Sequence, residues 1–173
     1  MIISVENLRN RITGITDTND VLTAKLEAIE AVIRAYTNNN FQQRMVRFTG
    51  YSEDDRIYGA PQFFAVGDTV QISSTGVNDG LYTVIAVDED YLELDKELIP
   101  LEGNLVTKVK YPADVIQCAV DLFTWKQNMG DKVGIKSETI SRHSVTYEDS
   151  ATLYMGYPVG ILNGLKLHRK ARC

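Results

Sequence analysis

The hydrophobic period of this chain changes twice along its length, and that constrains the fold more than any other feature. Leu22, Leu26, Ile29, Ile33 and Tyr36 step by four, three, four and three residues, the spacing of one face of an α-helix. Val21, Ala28 and Val32 widen the stripe, so the pattern predicts an amphipathic helix over 19–37. Asp17, three residues before Asp20, is the candidate N-cap, and Thr37-Asn38-Asn39-Asn40 ends the helix because Asn favours caps and turns. An earlier helical turn or two is expected over 4–12, with Ser4 as cap and Val5, Leu8 and Ile12 on one side, before Gly14 interrupts.

From about Gln43 the period becomes two. Met45–Phe48, Thr69–Ser73, Leu81–Val87, Tyr91–Leu94 and Leu105–Val109 are strand candidates, and Asn78-Asp79-Gly80 and Asp88-Glu89-Asp90 are turns between them. Five short strands in so few residues predict a small closed barrel. Helical spacing returns at Pro112, a residue well suited to a first helical position. Val115, Ile116, Ala119, Val120 and Phe123 form the inward stripe, and Gly130 is the expected stop. Two strand-like stretches follow near 135–139 and 143–147 with a turn at Ser141-Arg142, then an ambiguous 150–156. Pro158 opens a last short helix with Ile161, Leu162 and Leu165 on one face.

Neither long helix can bury its stripe alone, so the two are expected to pair. The predicted fold class is α+β: a discontinuous helical domain of residues 1–43 and 111–173, carrying an inserted small β-barrel of residues 44–110. Insertion at a loop is tolerated where the loop ends lie close together.

The net charge of −5 is unevenly spread. Residues 44–110 hold six basic and twelve acidic side chains, a net of −6, whereas the remainder has a net of +1. Phosphate backbone would be repelled by the barrel segment. The last eleven residues carry Lys166, Arg169, Lys170 and Arg172 without one acid. This run reads as a solvated tail, or as a contact for an acidic partner surface or for DNA.

A search for catalytic patterns returns none of the phosphate-binding, dinucleotide-binding, metalloprotease or nucleophile-elbow motifs. His143, between Arg142 and Ser144, reads as an exposed turn residue, and His168 as part of the basic patch. Cys118 beside the second stripe reads as a buried small residue, Cys173 as a terminal free thiol. Glu53-Asp54-Asp55 and Asp88-Glu89-Asp90 lack the spacing of a calcium loop. Trp125, with Tyr111 and Tyr147, reads either as an exposed protein-binding anchor or as core packing. No catalytic residue, cofactor site or metal site is expected. The chain has no apolar run long enough to span a bilayer and no basic-then-apolar start like a secretory signal, so an intracellular setting without membrane contact is expected.

The order of these elements resembles the phage head–tail connector family, also called neck adaptor or head-completion proteins. The likeness is carried by Tyr111-Pro112-Ala113-Asp114-Val115, the helix containing Trp125, the run Gly130-Asp131-Lys132-Val133-Gly134-Ile135-Lys136-Ser137-Glu138-Thr139-Ile140, and Ser144-Val145-Thr146-Tyr147. The first long helix, from Asp20-Val21-Leu22 to Tyr36-Thr37-Asn38, is similar more weakly. Residues 44–110 depart from the shorter all-helical members. Phe64-x-Val66-Gly67-Asp68-Thr69-Val70 and Asn78-Asp79-Gly80-Leu81-Tyr82-Thr83-Val84 look like an inserted SH3-like barrel.

The resemblance implies a non-enzymatic virion protein of the neck, assembled in the bacterial cytoplasm. Its implied form is a ring homo-oligomer, usually twelve-fold, on the portal protein. Packaged DNA passes non-specifically through the lumen, and the next neck or tail protein docks beyond. A rotationally repeated head-to-tail interface closes into such a ring. Ile161, Leu162, Leu165, Leu167, Arg169, Lys170 and Arg172 are the portal-docking candidates, and Lys166, Arg169, Lys170 and Arg172 the candidates for DNA or an acidic surface. The acidic barrel is expected to face outward, away from the DNA path, against capsid or a neighbouring subunit, and the free protein to be monomeric or weakly associated. The alternatives are a stopper or tail-terminator role, a nucleic-acid-binding module built on the barrel, or a small enzyme with an unrecognised site whose only evident candidates are His143 and Cys118.

Overall fold

The structure is a computed structural model; it describes residues 1–129 and 153–171, and the backbone alone of 137–140 and 143–146. The chain divides into two compact units: Met1 with Asn40–Tyr111, and Ile2–Asn39 with Pro112–Cys173. The crossings fall at 39/40 and 111/112, close to the expected 43/44 and 110/111. Phe41 explains the earlier entry, because its ring packs on Tyr111 at 5.0 Å and its carbonyl accepts the Lys110 amide at 3.0 Å.

The helical unit contains α1 (Val5–Arg11), α2 (Asn19–Thr37), α3 (Ala113–Met129) and a short α4 (Val159–Leu162), which runs into a 3-10 turn over Asn163–His168. Ser4 caps α1 by accepting the Asn7 amide at 3.2 Å. The cap of α2 is Thr18 and not Asp17; the Asp17 carboxylate instead takes Lys25, nearly two helical turns in, at 2.6 Å. Asn38 closes α2 in the left-handed conformation, φ 48°, which Asn tolerates better than most residues. As expected, α2 packs on α3. On α2, Leu22, Leu26, Ile29 and Ile33 are buried; on α3, Val115, Ala119, Val120 and Phe123 are buried as expected, Leu122 adds a position the spacing did not predict, and Ile116, expected in the stripe, is only half-buried. A buried carboxylate, Glu30, accepts the Ile2 amide at 2.9 Å.

The barrel unit is a closed antiparallel barrel of six strands in the order β1-β2-β5-β4-β3-β6, with β6 pairing back to β1. The strands are β1 (Gln42–Glu53), β2 (Arg56–Tyr58), β3 (Thr69–Ser73), β4 (Gly80–Val87), β5 (Tyr91–Leu94) and β6 (Leu101–Val109). This mixed α and β architecture is compatible with the expected small SH3-like barrel, with one strand more than the five expected. The extra strand, β2, has three residues, too few to show a period. Ile57, Val70, Ile72, Val84, Leu92, Leu94 and Val106 alternate inward to form the core, with Phe64 and Leu98 from loops. Closure depends on close approach at two glycines. A Cβ at Gly50 would strike the Tyr58 carbonyl, and one at Gly59 would lie 2.6 Å from the Phe48 ring.

Two short ladders complete the described residues. β7 (Ser137–Ile140) pairs with β8 (His143–Thr146), which accords with the expected hairpin. The ambiguous 150–156 stretch yields β9 (Leu153–Tyr154), paired with β10 (Tyr157–Pro158). Met155 and Gly156 join them with φ 50° and 81°, the double positive φ of a type I′ hairpin turn. The run from Gly130 to Lys136, with Ser141, Arg142, Tyr147, Arg172 and Cys173, lies outside the described residues.

Candidate functional site

The predicted docking residues divide by burial. Leu162 and Leu165 are 0% and 1% exposed, so they hold the C-terminal segment to the helical unit and offer nothing to a partner. Ile161 is half-buried. Leu167 is 94% exposed, and Lys166, Arg169 and Lys170 are also exposed. The segment's backbone is fixed. The Lys170 amide donates to the Thr37 carbonyl at 2.8 Å, Asn38 Nδ2 donates to the Ala171 carbonyl at 2.9 Å, and Asn39 Nδ2 donates to the His168 carbonyl at 3.0 Å. The left-handed cap of α2 thus doubles as a clamp on the basic run. Arg169 lies over the Tyr36 ring, 5.2 Å from its centroid.

His168 has a partner that sequence spacing did not show. Its Nε2 lies 2.6 Å from Asp114 Oδ2, and this contact holds the Asp114 carboxyl below the usual carboxylate range. His168 is therefore tied to the first turn of α3 and is not simply one more charge of the basic run. His143 opens β8 opposite Ile140; its side chain lies outside the described residues. Cys118 is buried as expected. Desolvation, with Asp121 and Asp114 adding, pushes its thiol up to about 11, so the thiolate is scarce at neutral pH. Tyr111 belongs to the barrel unit, against Phe41. Trp125 is half-buried on α3 and meets Tyr157 with ring centroids 6.2 Å apart.

The helical unit carries an open groove of about 400 Å³ lined by Val21, Ala24, Ala28, Ile29, Phe123 and Tyr157 together with Lys25 and Lys126. Val21 and Ala28, expected in the buried stripe, are exposed and form part of this groove. Lys126 Nζ sits 5.9 Å from the Tyr157 ring centroid.

In the barrel unit a polar cluster is buried that sequence reasoning missed. Ser52 on β1, Asn78 before β4 and Asn104 on β6 are all essentially inaccessible. Asn78 Nδ2 donates to Asn104 Oδ1 at 3.0 Å and to the Ile99 carbonyl at 2.9 Å, while Asn78 Oδ1 accepts the Ile99 amide at 2.9 Å. Asn104 Nδ2 donates to the Leu101 carbonyl at 2.7 Å, and Ser52 Oγ donates to the Ile99 carbonyl at 2.7 Å. Among the described residues no buried side-chain polar atom lacks a partner. The cluster therefore closes the barrel without offering a reactive group. Many barrel acids have comparable local tasks. Asp79 accepts the Thr75 amide and hydroxyl, bonds that lower its carboxyl pKa. Asp68 pairs with Lys108 at 2.5 Å, and Asp95 accepts the Thr83 amide at 2.8 Å. The excess of acid thus serves turns as much as a field.

On the outside of β1, β2 and β5 two cross-strand rows run side by side: Tyr51, Tyr58 and Tyr91, then Glu53, Arg56 and Glu93. Arg56 reaches Glu93 at 3.3 Å and lies over the Tyr91 ring, 4.9 Å from its centroid. The Tyr58 hydroxyl, then Tyr91 and Glu93, raise its already high pKa. Among the described residues no group of three metal-ligating side chains gathers, and no helix is long and apolar enough to cross a membrane. No protein-family model matches the chain, and no curated protein matches it.

Proposed function

We propose that this chain is a structural subunit of a tailed-phage neck, forming a ring on the portal vertex, extending the DNA channel and joining head to tail. The reading rests on the order of sequence elements that resembles the connector family. The observation that carries it furthest is the C-terminal segment, anchored from within by Leu162 and Leu165 while Leu167, Lys166, Arg169 and Lys170 face outward. A rigidly presented apolar residue flanked by cations is a suitable docking element, because little side-chain and backbone freedom remains to be lost on binding. Its positive charge suits an acidic portal surface, and equally the phosphates of DNA in a channel. The one described thiol, Cys118, is pushed by burial up to about 11 and is protonated at neutral pH.

Electron microscopy of the purified chain mixed with its portal tests the reading. Rings seated on the portal are expected; particles that stay solitary beside the portal overturn it. Truncation before residue 158 is a poor probe of docking, since it removes Leu162 and Leu165 from the core. Leu167→Asp combined with Lys170→Glu leaves the core intact and is expected to abolish portal binding.

A further inference from the structure

Alternation along the strands turns Ser52, Ile57 and Leu92 inward, each 0% exposed. Their neighbours Tyr51, Tyr58 and Tyr91 therefore point out. Direct cross-strand pairing places the rings in a row, with centroids 6.4 Å apart for Tyr51–Tyr58 and 5.8 Å for Tyr58–Tyr91. Such pairs stabilise a sheet modestly, yet Tyr51 and Tyr58 remain 38% and 36% exposed. Tyrosines in that state are low-entropy anchors for a partner. In the adjoining cross-strand row Arg56 lies between Glu53 and Glu93 and also reaches Asp55 at 3.9 Å, within a segment of net charge −6.

That combination selects the charge of the ligand. Phosphate is repelled by the carboxylates, whereas a guanidinium gains both ring faces and carboxylate oxygens. Arg56 already shows the fit within the chain, since it stacks on Tyr91 and pairs with Glu93 at once. Arginine suits such a seat better than lysine because its flat fork can stack and bond together. The chain's own basic run is assigned to the portal in the preceding reading, so the occupant comes from another neighbour. We propose that the Tyr51–Tyr58–Tyr91 row, rimmed by Glu53, Asp55 and Glu93, docks an arginine-bearing extended segment of the protein that follows this one in the neck. This assignment of the partner rests on the neck reading.

The test is nuclear magnetic resonance of the full-length chain titrated with a synthetic (Arg-Gly)3 peptide, with (Glu-Gly)3 and a ten-residue oligothymidylate as comparison probes. Ring signals of the three tyrosines should move with the arginine peptide alone. Tyr58→Ser, which leaves the charge unchanged, and Glu93→Gln should each weaken binding about three- to fivefold, the scale of one exposed cation–π or ion-pair contact. Unchanged affinity in both variants would mean that bulk charge alone attracts the peptide, and would overturn the site. So would comparable shifts with the oligonucleotide, or shifts produced by protein concentration alone that the peptide does not displace, which would mark a contact between copies. A ring on the portal with a barrel that ignores the peptide removes the docking site and leaves the neck reading. A peptide response without any ring keeps the arginine-binding face and overturns its assignment to a neck partner.

Discussion

In the helical unit the fully buried side chains are nearly all aliphatic, and they recur every three or four residues along α2 and α3. In the barrel unit an aliphatic core of similar type is joined by Ser52, Asn78 and Asn104, brought together from positions as far as 52 residues apart. The first arrangement is specified locally, since one helix face is enough to define it. The second exists only when three distant segments are in register, because each amide satisfies groups on the others. The contrast teaches where each unit is vulnerable. An aliphatic stripe loses stability in proportion to the volume removed. A buried polar cluster fails by leaving several partners unsatisfied at once.

Removing a core side chain should give the largest effect. Leu26→Ala, at a position with no exposure, is expected to destabilise the helical unit by about 2–5 kcal/mol. Trp125, the one tryptophan, lies in this unit, so its fluorescence during denaturant unfolding reads the helical unit, while tyrosine near-ultraviolet dichroism weights the barrel. A shift in the tryptophan transition alone would sharpen the comparison, and an equal shift in both would show that the units melt as one block. Asn78→Ala is the converse probe. It strips partners from Asn104, Ser52 and the Ile99 backbone, at a cost of about 1–3 kcal/mol for each group left dry. The loss should appear in the tyrosine signal first; a variant as stable as the parent would mean that water replaces the amide. A smaller effect is expected at the α1 cap, where Ser4→Ala should cost about 1 kcal/mol in thermal unfolding.

The smallest effect depends on pH. Asp114 has its carboxyl held below the ordinary value by His168, so its contribution is present above the ordinary carboxylate pKa and is lost as pH falls through the lowered one. Asp114→Asn should therefore be slightly less stable than the parent near neutrality and equal to it in strong acid. A difference that persists undiminished in strong acid would refute the pairing.

Much of the fold was legible because its signals are local. The bounds of α2, β3 and β5 follow from spacing alone, as does the pairing of α2 with α3. Features that depend on register were not legible. β2 is too short to show alternation, and the alignment of Tyr51 with Tyr58 and Tyr91 appears only once β2 lies between β1 and β5. Asn78 looked like a turn residue because it is one; nothing local reveals that its amide also reaches Asn104. Val21 and Ala28 fit the helical period yet border a groove, since a stripe predicts a face and not how much of it a neighbour covers. In the candidate docking segment the period found Leu162 and Leu165 correctly as one face, but a face can be turned inward, as this one is.

Where the barrel begins and ends, Gln42 pairs with Val109 and Phe41 stacks on Tyr111. The excursion thus returns to its point of departure like a stitch drawn tight at its base. A lineage could gain, lose or exchange such a cassette by recombination at two nearby seams, sparing both long helices. New attachment chemistry would then evolve on the cassette at its own pace, under little constraint from the scaffold that carries it.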